Sequence, residues 1–251
     1  MTATRIVPLE IGRLDADLAE LIGTPGRAIL PVPAWVIEHP AGVVLFDTGM
    51  HQELKTDTTR LGPLFTSTLV DFHDGEELPA RLAAAGYRPS DIDIVVISHL
   101  HFDHAGGAAD VPDARLVVQA AEWKAAHHPR LIEAGLYNPA DFEVGHAVEL
   151  IDGRHDVFDD GAVVCLPTPG HTRGHQALRV QLASGTVVLT ADCVYFGSML
   201  DDLTVPAFGF SREQQVDSML MLRRLRDDEG CRLLFGHDLD QFRSLPASGW
   251  T

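Results

Sequence analysis

Cysteine is scarce: Cys165, Cys193 and Cys231 are the three thiols in 251 residues. They are odd in number and form no C-x-x-C pair, which argues against a disulfide framework or a thiolate zinc knuckle. All three read as small buried apolar residues in strands. Positive charge is also short, since 19 Lys and Arg stand against 36 Asp and Glu. The resulting net charge of −17 repels phosphate backbones and anionic lipid heads, so neither nucleic acid nor a membrane is an expected partner. No apolar run approaches the ~20 residues that cross a bilayer. Residues 1–12 lack the pattern of a secretory leader, and the expected location is cytoplasmic. What remains is ordinary: 45% apolar and 22% charged residues give a buried core, and one domain over residues 1–251.

Strand signals dominate. Val32–Ile37 and Val43–Phe46 flank the turn His39-Pro40-Ala41-Gly42 as a hairpin that ends in Asp47-Thr48-Gly49. Residues 50–79 have little periodicity, and a segment of that kind inside a domain is functional or mobile. Leu78, Leu82 and Ala85 recur at helical spacing, with Gly86 placed to stop the helix. The run Asp93-Ile94-Val95-Val96-Ile97-Ser98 is a strand buried on both faces. Further strands are expected at 115–118, 147–151, 162–167, 176–182, 186–190 and 231–235, with helices at 120–126 and after a capping box at Ser211. The mixture implies a layered α/β sandwich.

Chemistry gathers where the strands end. Within His99-Leu100-His101-Phe102-Asp103-His104 four candidate ligands occupy six residues, and a loop leaving a strand can aim them into one pocket. Imidazole and carboxylate are the ligand types that suit Zn²⁺ when thiolates are lacking. His171, Asp192 and His237 follow three other strands. Each of those three, taken alone, is as readily a turn or surface residue.

This ordered set resembles the metallo-β-lactamase superfamily, from Asp47-Thr48-Gly49 through the His99 cluster, Pro169-Gly170-His171-Thr172 and Ala191-Asp192 to Gly236-His237. The resemblance implies a four-layer αββα sandwich with a dinuclear metal site at one edge of the sheets. It implies that His99, His101 and His171 hold one ion, that Asp103, His104 and His237 hold the other, and that Asp192 bridges them. Asp47 would support the ligands from behind. Two Zn²⁺ per chain are implied, with iron, cobalt or manganese as alternatives, together with a homodimer.

Within the superfamily the sequence is most similar to the N-acyl homoserine lactone lactonases, on residues 32–50, 99–107 and 192–195. In that family a tyrosine three residues after the bridging aspartate points at the substrate carbonyl, which is the place of Tyr195. The implied reaction is hydrolysis of the lactone ring by a hydroxide held between the ions, with Asp103 as proton shuttle. Leu64, Phe65 and Leu69, with Phe102, are candidates to hold an acyl chain. An i, i+4 pair of core residues on a short helix is an equal reading of Phe65 and Leu69. Alternatives are another lactone or ester, a thioester as in glyoxalase II relatives, or a mononuclear iron dioxygenase acting on persulfides. The remaining histidines, among them His127, His128 and His175, read as surface or packing residues.

Overall fold

The longest elements are the arms of an N-terminal hairpin. In the computed structural model, which describes residues 2–65 and 67–251 with the Leu64 side chain excepted, β1 (Arg5–Asp17) pairs antiparallel with β2 (Arg27–His39). The sequence pattern conceals β1, because Pro8 and Gly12 break its alternation. Pro8 is tolerated because β4 (Leu69–Asp71) pairs only with Arg13–Asp15 further along β1, leaving the flank at Pro8 without a partner strand among the described residues. Gly12 marks a bulge in the β1–β2 register. Its φ is +74°, and a Cβ there would lie 2.6 Å from the Phe72 ring and 2.7 Å from Met50, so only glycine lets residues 50–72 close over β1.

The sheet continues through β3 (Gly42–Phe46), β5 (Ile94–Val96), β6 (Arg115–Gln119) and β7 (Val148–Ile151), in the order β4-β1-β2-β3-β5-β6-β7. A second sheet holds β8 (His155–Asp156), β9 (Val163–Pro167), β10 (Gln176–Leu182), β11 (Gly185–Leu189) and β12 (Arg232–Leu234), in the order β12-β11-β10-β9-β8.

The two sheets face each other through one apolar layer. Ile37, Val44, Phe46, Ile94 and Val96 of the larger sheet meet Val163, Cys165, Leu178, Val180 and Leu189 of the smaller. The alternate residues Leu45, Val95, Val164 and Leu166 point the other way, into the layer under the helices. Period-two alternation with both faces buried is what the β-branched runs required.

Short helices cover the outer faces. α1 (Leu18–Ile22) follows β1, and α2 (Leu78–Ala84) packs on β1 through Leu78 and Leu82. α3 (Phe102–Ala105) is a single turn, while α4 (Ala120–Ala126) sits beside β6 and β7 and α5 (Pro129–Glu133) packs against α4. On the other side lie α6 (Gly197–Asp202) and α7 (Arg212–Asp227), the latter against β12, while α8 (Leu239–Arg243) packs back on β2. The Ser211 side chain accepts from the Gln214 N–H at the start of α7, and Gln215, Ser218, Met219 and Leu222 form its buried stripe. The result is helix, sheet, sheet, helix, as expected. One expectation fails: of the cysteines only Cys165 lies in a strand, whereas Cys193 sits in a 3-10 turn and Cys231 just ahead of β12, although all three are buried.

Candidate metal centre

Every candidate ligand follows the C-terminal end of a strand, and these ends converge at one edge of the two sheets. β5 delivers His99, the β9–β10 connection carries His171, β11 leads to Asp192, and β12 leads to His237. His101 is not simply a loop residue but the cap of α3, which carries Asp103 and His104 on its one turn. All seven side chains are buried.

Two sets form. His101 Nδ1 lies 3.0 Å from His99 Nε2 and 3.1 Å from His171 Nε2. Asp103 Oδ2 lies 3.5 Å from His104 Nε2 and 3.8 Å from His237 Nε2. Asp192 stands between the sets: Oδ2 is 3.3 Å from His171 Nε2 and 3.8 Å from His99 Nε2, while Oδ1 is 3.1 Å from His104 Nε2 and 3.0 Å from His237 Nε2. One carboxylate thus addresses both.

The partners on the far side of each ring decide what faces inward. Ser98 Oγ–H donates to Asp47, so its oxygen accepts from His99 Nδ1. His104 Nδ1 donates to Asp47 Oδ2 at 2.9 Å, and His237 Nδ1 donates to the Pro31 carbonyl at 2.8 Å. With Nδ1 protonated, each Nε2 turns a lone pair toward the cluster. His104 Nε2 and Asp192 Oδ1 are buried there and, although only 3.1 Å apart, make no well-formed hydrogen bond among the described residues. Acceptors facing acceptors in a buried space call for a cation, and the histidine and carboxylate donors suit a divalent metal.

Electrostatics divides the sets. Burial, reinforced by neighbouring imidazoles, holds His99 well below the ordinary histidine range, and burial takes His101 down to about 3. His171 is likewise held well below it by burial. Burial also opposes charge on His104 and His237, but Asp192 with Asp103 outweighs it and raises both. For Asp192 burial is outweighed by His104, His237 and His171, and the carboxyl stays ionised.

The family assignment follows from comparison with known proteins. The model of the metallo-beta-lactamase superfamily matches residues 28–237. The N-acyl homoserine lactonase AttM of Azorhizobium caulinodans is 31% identical, with 98% of this chain and 97% of that protein covered. The N-acyl homoserine lactonase AiiA of Bacillus thuringiensis subsp. kurstaki is 32% identical, with 97% of each covered. The chain belongs to the N-acyl homoserine lactonase family of the metallo-beta-lactamase superfamily. A solved N-acyl homoserine lactone hydrolase, carrying N-hexanoyl-L-homoserine at its catalytic metal centre, superposes with a TM-score of 0.87 at 30% identity over 98% of both chains.

As in any lactonase, the centre needs room beside it. A narrow cavity of about 60 Å³ is lined by Asp103, Asp192, His237, Tyr195, Phe65 and Phe102, among others, and one of about 410 Å³ adjoins it beside His101, Tyr137 and His171. The Tyr195 phenol is buried, and burial with Asp192 and Asp103 pushes its pKa well above the usual value, so it remains a donor. Phe65 meets Phe102 edge-on at 5.0 Å and Phe208 at 6.3 Å.

Leu69 is a correction: it lies on the β4 edge, 57% exposed, and lines neither cavity, because the strand turns its side chain outward. Phe65 ends a 3-10 turn, Pro63–Phe65, so the two share no helix. The Leu64 side chain lies outside the described residues. Asp47 lies behind the cluster, with φ at 60° and its carboxylate accepting from the Ser98 N–H, the Ser98 hydroxyl and His104. His175, read only as surface or packing, is fully buried 5.1 Å from the His99 ring, its Nδ1 2.8 Å from Thr168 Oγ1. The sequence reading missed Ser98, Glu122, Tyr137, Phe208 and Gln215. Gln215 is buried and donates to the carbonyls of Asp192 and Cys193 at 3.2 Å each.

Proposed function

We propose that the protein, as one catalytic domain over residues 1–251, opens the lactone ring of N-acyl homoserine lactones with two divalent ions, zinc in the first instance. His99, His101 and His171 would hold one ion, Asp103, His104 and His237 the other, and Asp192 both. The placement of the Asp192 carboxylate, one oxygen toward each set, carries this reading. The lactonase relatives support the substrate class. When bound, such ions ionise a water near neutral pH and polarise the carbonyl it attacks.

The chain's own residues supply the rest. Tyr195 presents a hydroxyl, protonated at every working pH, where negative charge develops on the carbonyl oxygen. Asp103 lines the cavity with a carboxyl whose pKa burial raises, so it can carry a proton. Hydrolysis balances with one water: its oxygen forms the new acyl bond, the ring C–O bond breaks, and one proton moves to the released alkoxide. Asp103 is the group placed to deliver it.

Ring opening releases an acid, so a pH-stat assay on a panel of lactones, esters and thioesters, paired with metal quantitation, tests the reading directly. Turnover of acyl homoserine lactones with two divalent ions per chain is expected; one iron per chain with oxygen uptake on persulfides would overturn it. Tyr195→Phe should lower kcat/KM by about 100-fold, roughly the ~3 kcal/mol of one oxyanion donor, with metal content unchanged. Unaltered kinetics would remove Tyr195 from the mechanism. Phe65→Ala should cost long acyl chains about tenfold in kcat/KM and short ones little, because truncation removes apolar contact only where a chain reaches it. Equal losses across the series would assign Phe65 to the core instead.

A further inference from the structure

Among the described residues, Glu122 is the one buried carboxylate near the centre that is not among the proposed ligands or directly bonded to one. It lies in the first turn of α4 and is fully buried. Its Oε1 accepts from the Leu100 N–H at 3.1 Å and from the Tyr137 hydroxyl at 3.1 Å. Its Oε2 accepts from the Thr172 hydroxyl at 2.6 Å and from the Gly174 N–H at 2.9 Å. Leu100 stands between His99 and His101, and Thr172 follows His171. Each oxygen therefore holds one of the two loops that supply the three-histidine set, across 22 residues to Leu100 and 50 to Thr172.

The contact is close as well as polar. A Cβ on Gly174 would stand 2.2 Å from the Glu122 backbone nitrogen and 2.6 Å from its Cβ, so the His171 loop lies flat against α4 with no room to slide. Tyr137, the fourth donor, brings its ring to 5.5 Å from His101. Four donors on one buried carboxylate make a rigid spacer of fixed length, which a longer, shorter or neutral group cannot reproduce.

We infer that Glu122 is the positioning residue that sets the separation between the His99/His101 loop and the His171 loop, and so tunes how tightly the three-histidine set grips its ion. The inference rests on the metal reading above. Groups that orient ligands from behind typically govern metal affinity by 10- to 100-fold.

The test is Glu122→Gln, which keeps the shape but turns an amide NH₂ toward a donor. Zinc dissociation constants from competition with a chromophoric chelator are expected to rise 10- to 100-fold, and the visible bands of the cobalt-substituted protein to shift, while the metal-free melting temperature stays within a few degrees of wild type. Thr172→Val and Tyr137→Phe, which leave the carboxylate in place, should each raise the constant by a smaller factor, and they carry the test if the first variant fails to fold. Zinc affinity within twofold of wild type in the variants that fold would overturn the proposal. A wild-type chain that binds no divalent ion would instead overturn the metal reading, so the two failures are distinguishable.

Discussion

Exhaustive chelation is expected to reduce lactone hydrolysis to background, a loss on the order of 10⁴-fold or more, because unassisted water ionises only near pH 15.7. Activity should return on adding zinc, cobalt or manganese. The folded state should respond as well. Metal-free, the edge of the sheets encloses Asp103 and Asp192 beside five imidazoles, with His104 Nε2 and Asp192 Oδ1 in no well-formed hydrogen bond among the described residues. A ligand present at 100 times its dissociation constant stabilises the native state by about 2.7 kcal/mol per site, and each kcal/mol moves the melting temperature of a chain of this size by about 2–4 °C. A fall of roughly 5–10 °C or more per ion removed is therefore expected by differential scanning fluorimetry. Full activity in chain shown by elemental analysis to be metal-free would sink the proposed chemistry.

The strands legible in the sequence were those with both faces covered. Ile94–Val96 and Val163–Pro167 had to be apolar at every position, since alternate side chains enter the layer between the sheets and the layer under the helices. The 13-residue β1 was hidden because its covering is uneven: β4 spans three residues of its outer flank, which lets Pro8 stand in a strand and leaves a bulge at Gly12. A helix of four residues such as α3 makes too few turns to print a 3.6-residue period, which is why the sequence pattern there reads as loop, whereas the seven-residue α2 and α4 are legible.

The candidate ligands were legible for a different reason. Four of them fall within six residues, and the others mark strand ends, so the signal is local. The supporting groups carry no such signal. Ser98 is one residue from His99 and looks like a strand terminus, yet its hydroxyl links Asp47 to His99. Glu122 reads as an ordinary helix-start acid, and its partners are 15 to 52 residues away. Leu69 shows the converse failure, an apolar residue in a suggestive segment that the register of a three-residue edge strand turns to solvent.

Asp192→Asn should separate binding from folding at the centre. The amide is nearly isosteric but carries no charge and offers one good acceptor oxygen where the carboxylate addresses both ligand sets. If two ions are held as proposed, occupancy is expected to fall from two per chain to one or fewer at matched metal concentration, and kcat/KM by roughly 10³-fold or more, since the group that would serve both ligand sets is lost. Metal-free stability should move the other way or not at all. Without metal, the buried carboxylate is offset there by His104, His237 and His171, and replacing a buried ionic cluster with neutral groups of similar volume is often neutral or favourable. The pKa values of His104 and His237, which Asp192 raises, should fall in the variant. Melting curves with and without zinc give the decisive number. The metal-induced rise should shrink while the metal-free midpoint holds, whereas a variant that still takes up two ions with wild-type affinity would remove Asp192 from its position between the sets.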